Sequence, residues 1–259
     1  MGITNNGPLN ITMTQDLVSI IMLAHGRMQF VEESVRSVMA QTYMKWELLC
    51  VDDSQGYEVV RLLQDLKGKD SRIHVYYSVA QEGAGNDRNS VLKDAHGRWI
   101  AFLDCGDVWE PEKLERQVAF MEEHGYAFSY TAYLRLGKRI VSGLPVVGWD
   151  ELQRYCWINY LTMMYDSQRL GKVYTKGVCQ LMDAYELMLE ISKGADCYLL
   201  PECLAKSRKL GRPNIFTKLL WQYRVLCYAE HVNPVVALWR NIQYVWYGGV
   251  KRIKFSQKV

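Results

Sequence analysis

The sequence predicts an α/β protein built on a mostly parallel, doubly wound sheet with helices on both faces. Three observations predict it. Over the first 125 residues, short apolar runs alternate with segments of helical spacing. Each apolar run stops at small or polar residues, the pattern of strands whose carboxyl ends share one edge. Finally, 49% of the 259 residues are hydrophobic but no run is long enough to span a bilayer, so the apolar residues go into a sizeable core.

Residues 1–16 are polar, rich in Asn, Thr and Gly, and read as a loose tail. Leu17 to Leu23 is a buried strand broken by Ala24-His25-Gly26. Apolar residues at 31, 35, 38 and 39 predict a helix over Phe30 to Met39. Trp46 to Val51 is a second strand, ending in Asp52-Asp53, and Tyr57 to Leu66 a second helix. Arg72 to Tyr77 is a third strand, Glu82 to Asn86 a turn, and Asp87 to Ala95 a third helix. The run Trp99 to Leu103 is a fourth strand, closed by Asp104 and Asp107, and Pro111 stands where the next helix begins. Right-handed crossovers bring all these strand ends to one crevice.

Past His124 the pattern changes. Tyr126 to Leu136 and Lys138 to Val141 predict a strand pair around Gly137. A short helix is expected over Asp150 to Tyr155, a strand over Asn159 to Tyr165, a helix over Asp183 to Ser192 and a short strand over Cys197 to Leu200, ahead of Pro201. Leu219 to Tyr247 reads as two helices broken near Asn233-Pro234.

The seven cysteines are dispersed, with no CxxC pair and no clustered histidines, which argues against a disulfide framework or a zinc site and for a reducing compartment. The N-terminus lacks the pattern of a secretion signal. A net charge of +3 hides an asymmetry: residues 203–259 hold eleven Lys and Arg against one acid, or +10, leaving −7 on residues 1–202. No GxGxxG follows the first strand, so a dinucleotide-dependent oxidoreductase is disfavoured.

Asp104 and Asp107 leave the end of a buried strand just before a helix. Carboxylates there suit a hydrated divalent cation, a ribose hydroxyl, or both. The plain alternative is that each caps a helix or forms a turn. For Asp52 the plain reading is ahead; for Asp53 the binding role is.

Five segments, in order, carry a resemblance: Val18 to Met22; Gln41-Thr-Tyr43 with Trp46 to Asp53; Gly83 with Arg88-Asn89; Ile100 to Asp104 with Trp109, Pro111, Lys113, Leu114 and Gln117; and Asp183 within Gln180 to Leu189. The chain resembles family 2 glycosyltransferases of the GT-A fold, of the type that builds bacterial capsule and cell-surface polysaccharides. The resemblance implies a nucleotide-sugar half over residues 17–125, an acceptor and catalytic-base half over 126–205, and a helical segment over 206–259. It implies that Ala24, Asp53, Gly83, Arg88 and Asp104 bind the nucleotide sugar. Asp53 would take the base ring N–H, Arg88 would lie against the base or a phosphate, and Asp104 would hold the ribose or the metal. Asp183 would be the general base of an inverting transfer, with capping of its own helix as the plain alternative. It further implies a divalent cation, Mn²⁺ or Mg²⁺, held by Asp104 and Asp107, and a lipid-linked or polysaccharide acceptor.

The family pattern is broken at Gly106, which stands where a metal-ligating Asp is usual, and Met188 and Ser207 replace a usual Trp and Tyr. Two expectations therefore stay open, an active transferase with an unusual donor or metal scheme, and a non-catalytic assembly subunit that keeps the fold. The tail mixes bases with Trp and Tyr. This suits peripheral contact with an anionic membrane at its cytoplasmic face, or a helical pair packed on the catalytic domain. No nucleic-acid module is present.

Overall fold

The computed structural model describes residues 14–53, 56–78, 84–178, 182–208 and 214–258. Four parallel strands form the expected half-sheet: β1 (Thr14–Ala24), β2 (Trp46–Asp52), β3 (Ile73–Tyr77) and β4 (Gly97–Asp104). The helices between them are α1 (Met28–Met39), α2 (Tyr57–Lys69) and α3 (Ala84–Leu92). The spatial order is β3-β2-β1-β4. The chain therefore runs outward from β1 to β3 and returns to the other side of β1, and that reversal between β1 and β4 opens a crevice at their carboxyl ends. Thr14 to Asp16, expected in the tail, belong to β1.

Side chains alternate across this sheet. Ile21, Leu23, Leu49, Val51, Ile100 and Phe102 join one core. Ile20, Met22, Leu48, Cys50, Ala101 and Leu103 join the other, under α1, α2 and α4 (Lys113–His124). A two-residue β5 (Val108–Trp109) precedes α4.

The second half extends the same sheet with mixed pairing. β6 (Phe128–Arg135), β7 (Arg139–Val141), β8 (Val146–Val147) and α5 (Trp149–Arg154) come first. The strand expected over Asn159 to Tyr165 is instead a 3-10 turn, Tyr160–Thr162, followed by the short β9 (Met164–Asp166) and α6 (Ser167–Leu170). Asn159 starts that turn by accepting the Leu161 N–H, so its side chain competes with a strand ladder. β9 lies antiparallel between β4 and β6.

After α7 (Asp183–Ser192), β10 runs from Cys197 to Ser207, straight through Pro201. The sequence reading stopped it at Leu200. The register against β6 shifts between Leu200 and Cys203, and the other edge changes partner there, from β8 to β5. Pro201 therefore sits at an irregularity where no ladder donor is required. The tail forms α8 (Ile215–Arg224), a π turn over Val225–Ala229, and α9 (Pro234–Lys254), with Asn233 capping α9 and Pro234 at its start as expected. A last strand, β11 (Ser256–Lys258), pairs with β7.

Candidate active site

The register of β1 places Leu23 beside Asp104 and Ala24 beside Asp52, so three strands end together at the crevice. Ala24 is fully buried and its carbonyl accepts the Asp53 N–H at 3.1 Å, which leaves the Asp53 side chain exposed at the rim. Asp52 is buried beneath it. Gly83, expected to meet the nucleotide sugar, lies outside the described residues.

Arg88 occupies the centre. It starts from the middle of α3, where Ser78 Oγ donates to the neighbouring Asp87 Oδ1 at 2.7 Å. The Arg88 guanidinium gives one nitrogen to Asp104 Oδ1 at 2.7 Å and another to Asp183 Oδ2. It also lies 4.8 Å from the Tyr160 ring centroid. The planar fork suits two carboxylates at once. Burial opposes the charge of Arg88, and Tyr160 and the two carboxylates outweigh it, holding the group protonated. Sequence reasoning named all three charged groups but not their union.

Asp183 is the first residue of α7; the residue before it, Met182, caps the helix without a side-chain bond. The carboxylate of Asp183 is therefore committed to Arg88 across the crevice, alongside the adjacent Ala184 N–H. Burial pushes its proton affinity up, while Arg88 and the Ala184 N–H pull it part of the way back. The net direction is upward, as suits a general base.

Two features hold Asp183 in place that sequence reasoning missed. Gly85 is the first. A β-carbon there would stand 3.0 Å from Thr175 Oγ1 and 3.2 Å from Asp183 Cβ, so a glycine lets α3 approach α7. In the sequence it was one glycine of a turn. Glu186 is the second, one helical turn on from Asp183 and fully buried. Its carboxylate takes the backbone N–H groups of Lys176 and Val178. Asn89 clasps the same loop through the Thr175 backbone, at 2.9 and 3.0 Å, a structural role.

The turn after β4 explains its glycine. The Asp107 N–H donates to the Asp104 carbonyl at 3.1 Å, and Gly106 has φ +88°. A turn with a positive φ at its third residue favours glycine. Ser34 Oγ pins the turn to α1 by accepting the Gly106 N–H and donating to the Asp107 carbonyl. Asp107 is buried, and its Oδ1 accepts the Arg208 N–H at 3.0 Å. Asp104 is the more open of the two. Among the described residues no group of three His, Cys, Asp or Glu could hold a metal ion. Trp109 is buried, donating from Nε1 to the Leu161 carbonyl, so it packs rather than meeting a sugar.

Residues 19–146 match the family described as Glycosyl transferase family 2. The chain is 30% identical over 257 residues to TuaG of Bacillus subtilis (strain 168), named as a teichuronic acid biosynthesis glycosyltransferase, covering 94% of this chain and 100% of that one. It is 32% identical over 257 residues to WfgD of Escherichia coli, named UDP-Glc:alpha-D-GlcNAc-diphosphoundecaprenol beta-1,3-glucosyltransferase, covering 95% and 98% of the two. In fold it is similar to residues 1–349 of S. aureus TarS in complex with UDP, with a TM-score of 0.63 at 15% identity over 88% of this chain and 70% of that one.

Proposed function

The chain belongs to glycosyl transferase family 2, and we propose that it moves a sugar from a UDP-sugar to a hydroxyl of a lipid-linked glycan in bacterial surface polysaccharide synthesis. The observation that carries this reading is the Arg88 clamp, which joins a carboxylate at the end of β4 to a buried carboxylate on α7. The names of TuaG and WfgD, both matched over nearly their whole length, support the polysaccharide setting, the UDP donor and the diphosphate-lipid acceptor.

In this reading residues 17–125 hold the donor and 126–205 the acceptor. Asp53, at the rim, takes the base ring N–H; Ala24, expected to touch the nucleotide, is fully buried and supports Asp53 through its carbonyl instead. Asp104 faces the ribose. The donor diphosphate draws on Arg88, so Asp183 loses its counter-ion as the sugar arrives. Asp183 then takes the proton of the acceptor hydroxyl while its oxygen attacks the anomeric carbon opposite the leaving UDP, inverting that carbon.

A divalent cation, Mn²⁺ or Mg²⁺, would add neutralisation of the leaving diphosphate. Asp104, partly exposed at the end of β4 where Asp107 is buried, would be the carboxylate to meet it; phosphate and water would supply the other ligands, a common arrangement for Mg²⁺. A lipid-linked acceptor puts the reaction at the inner face of the cell membrane.

The test is release of UDP from UDP-glucose with a diphosphate-lipid GlcNAc acceptor, by the wild type and by Asp183→Asn. Acceptor-dependent release by the wild type and its loss in the variant are expected. UDP binding without release in either protein would favour the non-catalytic subunit that Gly106 left open.

A further inference from the structure

Helix α9 is apolar on two opposite faces, and the fold uses one of them. On the inner face Ala237 is fully buried, and Arg240 pairs with Asp150 of α5. Tyr244 packs 4.8 Å from Tyr155, Tyr247 packs 5.8 Å from Trp157, and Lys251 Nζ donates to the Trp157 carbonyl at 2.5 Å. These positions recur every three to four residues, as one helical face does.

The outer face repeats the same spacing half a turn away. Val235 is 75% exposed, Trp239 58%, Ile242 62%, Trp246 73% and Ile253 83%. A continuous exposed stripe of this size, holding two tryptophans, marks an interaction surface rather than scattered surface residues.

From this stripe we infer that the outer face of α9 lies on an anionic lipid surface. Charge selects the occupant. α9 contains no Asp or Glu, and Arg252 and Lys254 flank the stripe, one on each side. Of the bases in residues 203–259, Arg240 and Lys251 serve the inner face, and Lys206 and Arg208 pair with Glu110 and Glu33, whereas Arg252 and Lys254 are exposed beside the stripe. A second copy docked face to face would bring Arg252 and Lys254 of both copies together with no acid on either helix to offset them, and like charges oppose that. Anionic headgroups complement them. Tryptophans beside bases suit the boundary between headgroups and acyl chains. Among the described residues no helix is long and apolar enough to cross a membrane, so α9 lies along the surface.

The purpose of this contact rests on the lipid-linked acceptor of the proposed function; the contact itself rests on α9. The experiment is co-sedimentation with vesicles free of acceptor, one set of phosphatidylcholine and one holding phosphatidylglycerol, together with sedimentation velocity without lipid. It uses the wild type and the double variant Trp239→Ser/Trp246→Ser, whose substituted side chains are exposed. Partition of the wild type onto anionic vesicles should exceed that onto neutral ones by about tenfold or more, fall with salt, and drop by about tenfold in the variant. Transfer to a short-chain, water-soluble acceptor should be equal in both proteins. Equal vesicle binding by wild type and variant overturns the inference. So does a wild-type dimer that the variant dissociates, with no lipid binding by either. Vesicle binding as expected, with no transfer to the short-chain acceptor by either protein, would overturn the enzymatic reading and leave this one standing.

Discussion

Arg88 and Asp183 stand 95 residues apart in the chain and form a buried ion pair at the centre of the crevice, with side chains 10% and 8% exposed. Asp104 shares the same guanidinium. A charge pair this deep is costly to leave half-made. The resting site is therefore closed on itself, and in the proposed function the guanidinium that meets the diphosphate also masks the base.

That sharing predicts how the pH profile responds. Burial raises the proton affinity of Asp183 and Arg88 lowers it. Arg88→Met removes the lowering influence and leaves Asp104 and Asp183 facing each other as like charges. As the proposed general base Asp183 must be ionised, so the acid limb of kcat/KM should move to higher pH in the variant, with UDP affinity down about tenfold or more. An acid limb at the same pH in both proteins would separate Asp183 from the proton transfer.

Asp183→Asn keeps the size of the side chain and one hydrogen bond to Arg88 but cannot take a proton. Calorimetry should show UDP binding within a few-fold of wild type, while turnover falls by about 10²- to 10⁴-fold, the usual worth of a general base. A proportional loss of binding and turnover would assign Asp183 to positioning Arg88 instead.

Gly106→Ala isolates the backbone cost of the turn after β4. The nearest heavy atom to an added β-carbon is Phe30 Cβ at 3.8 Å, an ordinary contact, so no clash is involved. The φ of +88° is the whole penalty. Denaturant unfolding should show a loss of about 1–2 kcal/mol. Restoring the family carboxylate with Gly106→Asp carries a similar backbone cost, so any gain in Mn²⁺ binding must be read against that loss.

Lys113 is fully buried, and its amine has no hydrogen-bond partner among the described residues. The Trp109 ring lies 3.8 Å from its nitrogen. Attraction to that ring is of order 2 kcal/mol, less than the several kcal/mol of burying an ion without a counter-charge. Burial therefore decides, and the amine sheds its proton far below its ordinary range. Below the ordinary value of 10.5 the unfolded chain therefore holds this proton more tightly than the folded chain does, so this residue makes stability rise with pH up to near 10.5. Lys113→Met, which removes the buried amine, should raise the Tm and flatten the rise of stability with pH below 10.5. A lower Tm with an unchanged slope would show that the ammonium is retained.

Much of the fold was legible because its signals are local. Runs such as Leu17 to Leu23 and Trp46 to Val51 are strands because apolar side chains on both faces need cover, and Asn233-Pro234 marks a helix start through backbone constraints alone. The carboxylates at 53, 104 and 107 could be named from their places at strand ends, and Asp183 from the family resemblance. Some local readings failed where a neighbour overrode them. β10 passes Pro201 because its partners change there, and Asn159 to Thr162 turns because a side chain replaces the ladder.

The sequence by itself determined the α/β alternation and the crevice edge of the sheet, since periodicity and chain direction set both, and its resemblance to family 2 glycosyltransferases pointed to Arg88 and Asp183. Tertiary structure alone decided that Arg88 joins Asp104 to Asp183, that Gly85 admits α3 to α7, and that α9 keeps an apolar face outward. Each depends on strand order and helix packing between segments far apart in the chain, and no local spacing encodes those.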